Sequence, residues 1–209
     1  MNKSLLQLAV LVSGSGTNLQ NIMDLSKAGQ LAAAVSLVVS DNREAYALKR
    51  AEHGGVKTLV LNPQEYPSRV EFDRVLHQAI APSHPDLIVL AGFMRILSAE
   101  FVDRYHNRII NIHPSLLPKY KGMNTHEKVL MNKDDYHGAT VHFVTRELDA
   151  GPIILQDRIK VFPTDTVSTL KERVHQIEYG IYPRAIQLIA DGKIRLNDSQ
   201  SLCESKERK

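Results

Sequence analysis

Residues 5–29, LLQLAVLVSGSGTNLQNIMDLSKAG, run from an apolar stretch through two closely spaced glycines into a stretch with helical periodicity. A short apolar run that ends at a glycine is typical of a buried strand, whereas the spacing of apolar residues in NLQNIMDLSKAG is that of one helix face. The segment therefore predicts a strand, a tight turn and a helix, which together open a sheet with helical crossovers.

The same alternation of short apolar runs and helical stretches continues as far as residue 112. The further strand candidates are VSLVVS at 35–40, VKTLVL at 56–61, LIVLAG at 87–92 and RIINI at 108–112, and helical stretches separate them. Strands that alternate with helices favour a mostly parallel sheet covered on both faces. The sequence therefore predicts an α/β fold.

The pattern changes after residue 123. A helix is predicted from Thr125 to Met131, followed by the strands GATVHFVT and PIILQDRIKV, which the short connection RELDAG joins. So short a connection favours antiparallel pairing, which gives the parallel sheet an antiparallel edge. Residues 166–190 form one long predicted helix with a bend at Pro183. We expect a single domain over residues 1–195 and a polar, disordered tail over 196–209.

Composition and charge restrict the classes of partner. The 209 residues are 43% hydrophobic, and 26 Lys and Arg against 23 Asp and Glu leave a net charge of +3. So small a basic excess disfavours nucleic acid, and no apolar stretch is long enough to favour a membrane span. Cys203 is the only cysteine, so a disulfide framework and a thiolate metal cluster are both excluded. We expect small-molecule substrates, a cytoplasmic location and a monomer or weak homodimer.

Three unusual stretches follow predicted strands. They are SGSGTN after the first strand, GFMRIL after the fourth and NIHPSLLP after the fifth. Ligands of open parallel sheets bind outside the carboxyl ends of the strands, so all three stretches lie where a ligand is expected.

The glycine loop SGSGTN is suited to a phosphate. Gly14 and Gly16 allow the backbone to approach a ligand, and the helix that begins near Thr17 directs free N–H groups and its positive dipole end to the same place. A dinucleotide fingerprint would need a third glycine where this sequence has Leu19, although Asp41 after the second strand resembles a ribose-binding acid. A purely structural tight turn is the other alternative.

The stretch GFMRIL places apolar residues where a loop should begin. Met94, Ile96 and Leu97 beside Arg95 indicate a pocket for a flat, largely apolar ligand with polar edges, and the alternative is a buried start to the next helix. Arg69 begins the preceding helix and is by default a solvated charge, unless the ligand carries a carboxylate.

Asn111 and His113 are two residues apart on a predicted strand, so their side chains share one face. His113 has three explanations: a hydrogen-bonded histidine at a strand end, a metal ligand or a proton carrier. The other histidines show no zinc-binding spacing, so we expect no metal site. A proton carrier needs a partner, and the best candidate is Asp149 in ELDAGP, which a simple turn-forming role explains equally well.

Glu178 lies on the inward stripe of the long last helix, in line with Leu170, Val174 and Ile181. A carboxylate in that position needs a partner. It either extends to the helix edge or binds a hydroxyl or amine of a ligand.

Five stretches together resemble the phosphoribosylglycinamide formyltransferases of purine biosynthesis, within the formyltransferase family. They are GSGTNLQ, LAGFMRIL, NIHPSLLPKYKG, GATVHFVTRELDAGPI and the final helix with Glu178, and the likeness runs from about residue 5 to 195. Methionyl-tRNA formyltransferase adds a basic C-terminal domain and formyl-folate hydrolase an N-terminal regulatory domain, and we expect neither in 209 residues.

The resemblance implies a Rossmann-like formyltransferase fold and the transfer of a formyl group from 10-formyltetrahydrofolate to the amine of 5-phosphoribosylglycinamide. It implies that Asn111 and a protonated His113 hold the oxyanion formed in the reaction, and that Asp149 raises the pKa of His113 and helps to relay the proton. The phosphate loop is then Gly16, Thr17 and Asn18, with Glu178 at the sugar and glycinamide end of the nucleotide. The implied folate-binding residues are Arg69, Met94, Arg95, Ile96, Leu97 and Asn111.

Two positions depart from the family pattern. Lys121 and Asn124 stand where many relatives have proline and histidine, at the edge of the implied nucleotide pocket. A binding protein that has lost turnover, a formyl-folate hydrolase and a transferase acting on another small amine are the remaining alternatives. Retention of Asn111, His113 and Asp149 argues against the first, and retention of Glu178 with the glycine loop argues against the others.

Overall fold

The computed structural model describes residues 4–196 and 202–204. Its main feature is a seven-stranded sheet. In chain order the strands are β1 (Leu6–Val12), β2 (Ala33–Ser40), β3 (Thr58–Val60), β4 (Leu87–Leu90), β5 (Ile109–His113), β6 (Tyr136–Phe143) and β7 (Ile153–Lys160).

The strand order across the sheet is β3-β2-β1-β4-β5-β6-β7. The strands from β3 to β5 pair in parallel, whereas β6 and β7 are antiparallel to their neighbours. The strand order therefore has its topological switch point between β1 and β4. The carboxyl ends of these two strands border the crevice in which such sheets bind ligands. The predicted fold class, with its antiparallel edge, is confirmed.

In the part of the chain that the structure describes, six α-helices cover the sheet. They are α1 (Thr17–Lys27), α2 (Tyr46–His53), α3 (Arg69–Ile80), α4 (Ala99–Arg104), α5 (Thr125–Met131) and α6 (Val167–Ala190). The predicted bounds of α5 agree with those observed, and α6 continues through Pro183 as a single helix. Within the described residues, no helix is long and apolar enough to cross a membrane.

The core consists of two apolar layers, one on each face of the sheet. In β1, Leu8 and Val10 join the layer that packs α1, α2 and α6, whereas Ala9 and Leu11 join the layer that packs α3 and α4. All four residues of β4 are buried, because helices cover both of its faces. This double burial explains why the parallel strands are continuous apolar runs in the sequence.

The end of the described chain is a separate two-stranded sheet. Strand β8 (Ile194–Leu196) pairs in antiparallel fashion with β9 (Leu202–Glu204). Most of the predicted disordered tail, residues 197–201 and 205–209, lies outside the described residues, and its disorder stays a prediction.

Candidate functional site

A cavity of about 530 Å³ lies at the carboxyl ends of β4 and β5. Its walls come from the loop after β4, the end of β5, the residues before and in α5, the connection between β6 and β7, and the first turns of α6. That volume is typical of a site for a small organic ligand. Asn111, His113, Asp149 and the loop from Met94 to Leu97 all line it, so residues from three separate stretches of the sequence meet there.

The loop after β4 supplies the apolar wall. Phe93 and Leu97 are buried, whereas Met94 and Ile96 are 70% and 52% exposed. The backbone N–H of Met94 donates to Ser13 Oγ at 2.8 Å, which ties this loop to the glycine loop after β1. Both interpretations of this stretch therefore hold in part. Phe93 and Leu97 pack into the core, whereas Met94 and Ile96 present apolar side chains at the cavity.

Asn111 is directly opposite His142 in the antiparallel pairing of β5 with β6. Its Nδ2 lies 3.3 Å from His142 Nε2, and His142 Nδ1 lies 2.9 Å from the carbonyl of Phe143. A carbonyl only accepts, so Nδ1 of His142 carries a hydrogen, while its Nε2 lies beside the Asn111 amide and 3.7 Å from Asp149 Oδ1. The cross-strand contact thus fixes the orientation of the amide and leaves its second N–H free to donate.

His113 lies between two acceptors. Its Nε2 is 2.8 Å from the carbonyl oxygen of Tyr120, and its Nδ1 is 3.4 Å from Asp149 Oδ2. Both side chains of the His113–Asp149 pair are nearly buried, at 8% and 7% exposure. The sequence expectation that these two residues are neighbours is therefore met in the geometry.

Burial and Asp149 act in opposite directions on the pKa of His113. Burial lowers the pKa of His113, and although the Tyr120 carbonyl and Asp149 both act to raise it, burial outweighs them. The contribution of Asp149 has the expected sign, but the net pKa lies below the ordinary value of 6.5, so the imidazole is neutral at pH 7. His113 thus begins as a proton acceptor rather than as an imidazolium.

Asp149 is a turn residue that also lines the cavity with Asn111 and His113. Its φ of 47° places it in the left-handed region, as expected of an acid in a tight connection, and its Oδ2 accepts from the Gly122 N–H at 2.8 Å. Burial acts to raise its pKa, but the contacts with His142, the Gly122 N–H and His113 outweigh burial and lower it. Asp149 is therefore a carboxylate at neutral pH.

The glycine loop and Glu178 form a second group beside the cavity. Helix α1 begins after Gly16, which has φ 71° and no side-chain cap, so the first N–H groups of the helix are free for an anion. Asn18 Nδ2 donates to Glu178 Oε2 at 2.8 Å, which joins this loop to α6. Glu178 is 4% exposed, and burial raises its pKa to about 7, against the opposing hydrogen bond from Asn18 and the charge of Lys171.

Gly16 has a packing role that the sequence did not indicate. A Cβ on Gly16 would meet Ala47 Cβ at 2.5 Å and the Ala47 backbone at 2.7 Å, so the close approach that requires glycine here is to α2. A Cβ on Gly14 would have no other heavy atom within 4 Å. Of the two glycines, only Gly14 therefore has room for a side chain.

This difference allows a test of the phosphate loop. Gly14→Ala should leave the fold intact but weaken the binding of a phosphorylated ligand by roughly tenfold, or about 1.4 kcal/mol, because the methyl group occupies the approach to the loop. Gly180→Ala is the matched control, since Gly180 also has nothing within 4 Å of its Cβ position and lies on α6. Calorimetry with inorganic phosphate and with a ribonucleotide measures the effect. Equal affinities in the two variants would show that this loop does not bind the phosphate.

Several expected site residues lie at the margin. Arg69 is exposed at the start of α3, outside the cavity lining, and its charge acts on Asp73. Arg95 lines the cavity and lies 4.6 Å above the ring of Phe72. Lys121 pairs with Glu147 at 2.8 Å, and Asn124 lines the cavity in the left-handed conformation, with φ 60°.

Four residues of the site went unrecognised in the sequence. His142 contacts the Asn111 amide, and the carbonyl of Tyr120 contacts His113. The N–H of Gly122 donates to Asp149, and Lys171 lines the cavity near Glu178. For His142 the sequence offers only a weak signal, since it is one of three polar residues, with His137 and Thr140, in the buried part of β6. Tyr120 and Gly122 act through backbone atoms, which the side-chain pattern does not reveal.

Comparison with known proteins gives a consistent result. The model of a family described as formyl transferase matches residues 6–186. The phosphoribosylglycinamide formyltransferase of Escherichia coli is 45% identical over 194 residues, which cover 93% of this chain and 92% of that protein. The enzyme of the same name from Haemophilus influenzae is 40% identical over 200 residues, covering 96% and 94%.

Solved structures agree with the sequence comparison. The crystal structure of glycinamide ribonucleotide transformylase 1 from Symbiobacterium toebii matches with a TM-score of 0.93 and 40% identity, and covers 97% of this chain and 95% of its own. The phosphoribosylglycinamide formyltransferase of Coxiella burnetii, in complex with CHES, matches with a TM-score of 0.91 and 46% identity, over 96% and 93% of the two chains.

Proposed function

The chain belongs to the formyl transferase family, and we propose that it transfers the formyl group of 10-formyltetrahydrofolate to the amine of 5-phosphoribosylglycinamide, a step of purine biosynthesis. The observation that carries the residue roles is the contact between His113 Nδ1 and Asp149 Oδ2 at 3.4 Å, in the wall of a cavity that also contains Asn111. A neutral base, a carboxylate that supports it and an amide donor suit acyl transfer to an amine.

The reaction begins with attack of the amine on the formyl carbon, which forms a C–N bond and places negative charge on the formyl oxygen. The free N–H of Asn111, oriented by His142, donates to that oxygen. Neutral His113 accepts the proton that the amine loses, directly or through water, and Asp149 stabilises the imidazolium so formed. The bond between the formyl carbon and the folate nitrogen then breaks, and His113 returns the proton to that nitrogen.

The remaining residues bind the two substrates. Met94, Ile96 and Leu97 provide apolar surface for the pterin, and Arg95 a polar edge. Arg69, exposed at the start of α3, is assigned to the carboxylates of the folate tail.

The nucleotide lies on the other side of the reacting atoms. Its phosphate binds at the uncapped start of α1, among Gly16, Thr17 and Asn18. Glu178 binds the sugar and glycinamide end, and it is already held in place by Asn18. Lys121 and Asn124 border this part of the site, where Lys121 is paired with Glu147.

We further propose that the protein acts in the cytoplasm as a monomer or weak homodimer. The single cysteine of the sequence fits a reducing compartment. Sedimentation across a concentration series tests the oligomeric state, and a tight dimer would contradict this part of the proposal.

The reaction is tested by measuring tetrahydrofolate release with and without phosphoribosylglycinamide, together with mass spectrometry of the nucleotide. Folate release that depends on the nucleotide, with equal formation of formylated nucleotide, is the expected result. Folate release without the nucleotide would identify a hydrolase, and binding of both ligands without release would identify a binding protein.

A further inference from the structure

His126 and His137 form a hydrogen-bonded pair at the side of the main cavity. His126 is the second residue of α5 and lines that cavity, whereas His137 lies on β6 and is 1% exposed. The two rings are inclined at 84°, and His137 Nε2 lies 2.9 Å from His126 Nδ1. The proton transfers proposed for His113 involve neither ring.

Both rings of the pair are neutral at pH 7. Burial and then the nearby charges of His175 and Lys171 lower the pKa of His126 to about 4. Burial and the neighbouring His126 lower the pKa of His137 to about 4, against the opposing charge of Asp134. A neutral imidazole has one N–H and one acceptor nitrogen, so one ring donates to the other, and the direction of that hydrogen bond fixes both tautomers.

The second nitrogen of His137 sets this direction. Its Nδ1 is buried and has no hydrogen-bond partner among the described residues. Buried N–H groups without an acceptor are rarer in proteins than buried acceptors without a donor. Nδ1 of His137 is therefore the nitrogen without a hydrogen, and its Nε2 donates to His126 Nδ1.

The hydrogen of His126 is consequently on Nε2. This nitrogen makes no hydrogen bond to a described residue and is not one of the buried unpaired atoms, and the ring lines the cavity. His126 therefore presents a neutral N–H donor to the cavity, and the contact with His137 holds the ring in one orientation.

The donor lies at the end of the cavity near α6. The charges of His175 and Lys171, both on α6, act on His126, and Lys171 lines the same cavity. His175 Nε2 is in turn 3.9 Å from Glu178 Oε2. His126 is thus on the side of the site where the proposed function places the sugar and glycinamide end of the nucleotide.

The polar groups of a phosphoribosylglycinamide need different partners. Its phosphate suits the uncapped start of α1, and its hydroxyls and amine can donate to the Glu178 carboxyl group. The amide carbonyl of the glycinamide only accepts, so it needs a donor at the same end of the site. The N–H of His126 is such a donor.

We propose that His126 is a specificity-determining residue that donates from Nε2 to the amide carbonyl of the glycinamide, and that His137 is a positioning residue that fixes the tautomer and orientation of His126. The inference rests on the proposed function for the identity of the ligand, but the two tautomers are properties of the protein without substrate.

The test combines two variants with two ligands. His126→Asn keeps an amide beside His137 at the position of Nδ1 but removes the donor at Nε2, whereas His126→Gln extends an amide donor to the position of Nε2. His106→Asn is the matched control, because His106 is exposed and lies outside the main cavity. Calorimetry measures the Kd for phosphoribosylglycinamide and for ribose 5-phosphate, which has the sugar phosphate but no amide carbonyl. Thermal melts check the fold.

We expect His126→Asn to bind phosphoribosylglycinamide about tenfold more weakly than the wild type, which is the scale of one lost hydrogen bond, and to bind ribose 5-phosphate as the wild type does. His126→Gln and His106→Asn should keep the wild-type affinity for both ligands. Long-range proton–nitrogen NMR spectra of the unliganded wild type at neutral pH should show the hydrogen on Nε2 of both His126 and His137.

Four results overturn the proposal. They are an unchanged affinity for phosphoribosylglycinamide in His126→Asn, an equal loss for both ligands, binding by His126→Gln as weak as that by His126→Asn, and a hydrogen on His137 Nδ1 in the wild type. Should His126→Asn not fold, the wild-type spectrum decides, because the Nε2 proton of His126 must shift on addition of phosphoribosylglycinamide and not of ribose 5-phosphate.

The same titrations separate this inference from the proposed function. A wild-type protein that does not bind phosphoribosylglycinamide would contradict the proposed function, and with it the ligand assigned to His126. Wild-type binding together with any of the four results above would contradict the role of His126 alone.

Discussion

His113→Ala is expected to lower kcat by about a hundred- to ten-thousand-fold, which is the range for loss of a general base. The imidazole is the neutral group next to the Asp149 carboxylate, and alanine leaves no side chain there that can accept the proton of the attacking amine. The affinity for the nucleotide should stay close to that of the wild type, because His113 acts on developing charge and not on the phosphate.

Steady-state kinetics and nucleotide calorimetry on the same preparation measure both effects. His53→Ala is a suitable control, since His53 is exposed at the end of α2, and it should leave both quantities unchanged. Normal turnover in His113→Ala would remove His113 from the mechanism.

Asn111→Ala has the second largest expected effect, about 2.7 to 4 kcal/mol in the chemical step, or roughly a hundred- to a thousand-fold in kcat. The amide is the donor oriented towards the formyl oxygen, and the contact from its Nδ2 to His142 Nε2 at 3.3 Å preorganises it. Single-turnover rates separate this effect from binding. Asn111→Asp conserves the shape but replaces the donor by an acceptor, so it should be impaired at least as strongly.

An alternative role for Asn111 gives a different pattern. If the residue only positions the folate, Asn111→Ala will raise the Kd for the folate and leave the single-turnover rate at saturation unchanged. That outcome would assign the oxyanion to other donors.

The strands and helices could be predicted from the sequence because their patterns are local. Helix α5 and the continuous apolar run of β4 illustrate this, since one depends on local periodicity and the other on burial of both faces. The ends of strands were less predictable. Strand β6 begins at Tyr136, before the apolar run that indicated it, because pairing with β7 extends the ladder through polar residues.

The site was predictable where side chains alone define it. Asn111 and His113 share a face through strand alternation, and the position of parallel strand ends brings the loop after β4 beside them. Contacts that depend on register or on the backbone could not be predicted, such as the pairing of Asn111 with His142 or the Tyr120 carbonyl. The effect of Asp149 on the pKa of His113 was predictable in sign, whereas the opposing effect of burial depends on the packed structure.

The central claim is that His113 is a neutral proton acceptor that Asp149 supports, and NMR titration of His113 in the wild type and in Asp149→Asn tests it most directly. Asparagine tolerates the left-handed φ of 47° and keeps an acceptor for the Gly122 N–H, so the fold should survive, which thermal melts can check. In the wild type the pKa should lie below the ordinary 6.5. In Asp149→Asn it should be lower still, because the negative charge that favours the imidazolium is gone, and kcat near neutral pH should fall about a hundredfold. An unchanged His113 pKa with near-normal turnover would contradict the account and leave Asp149 as a turn residue alone.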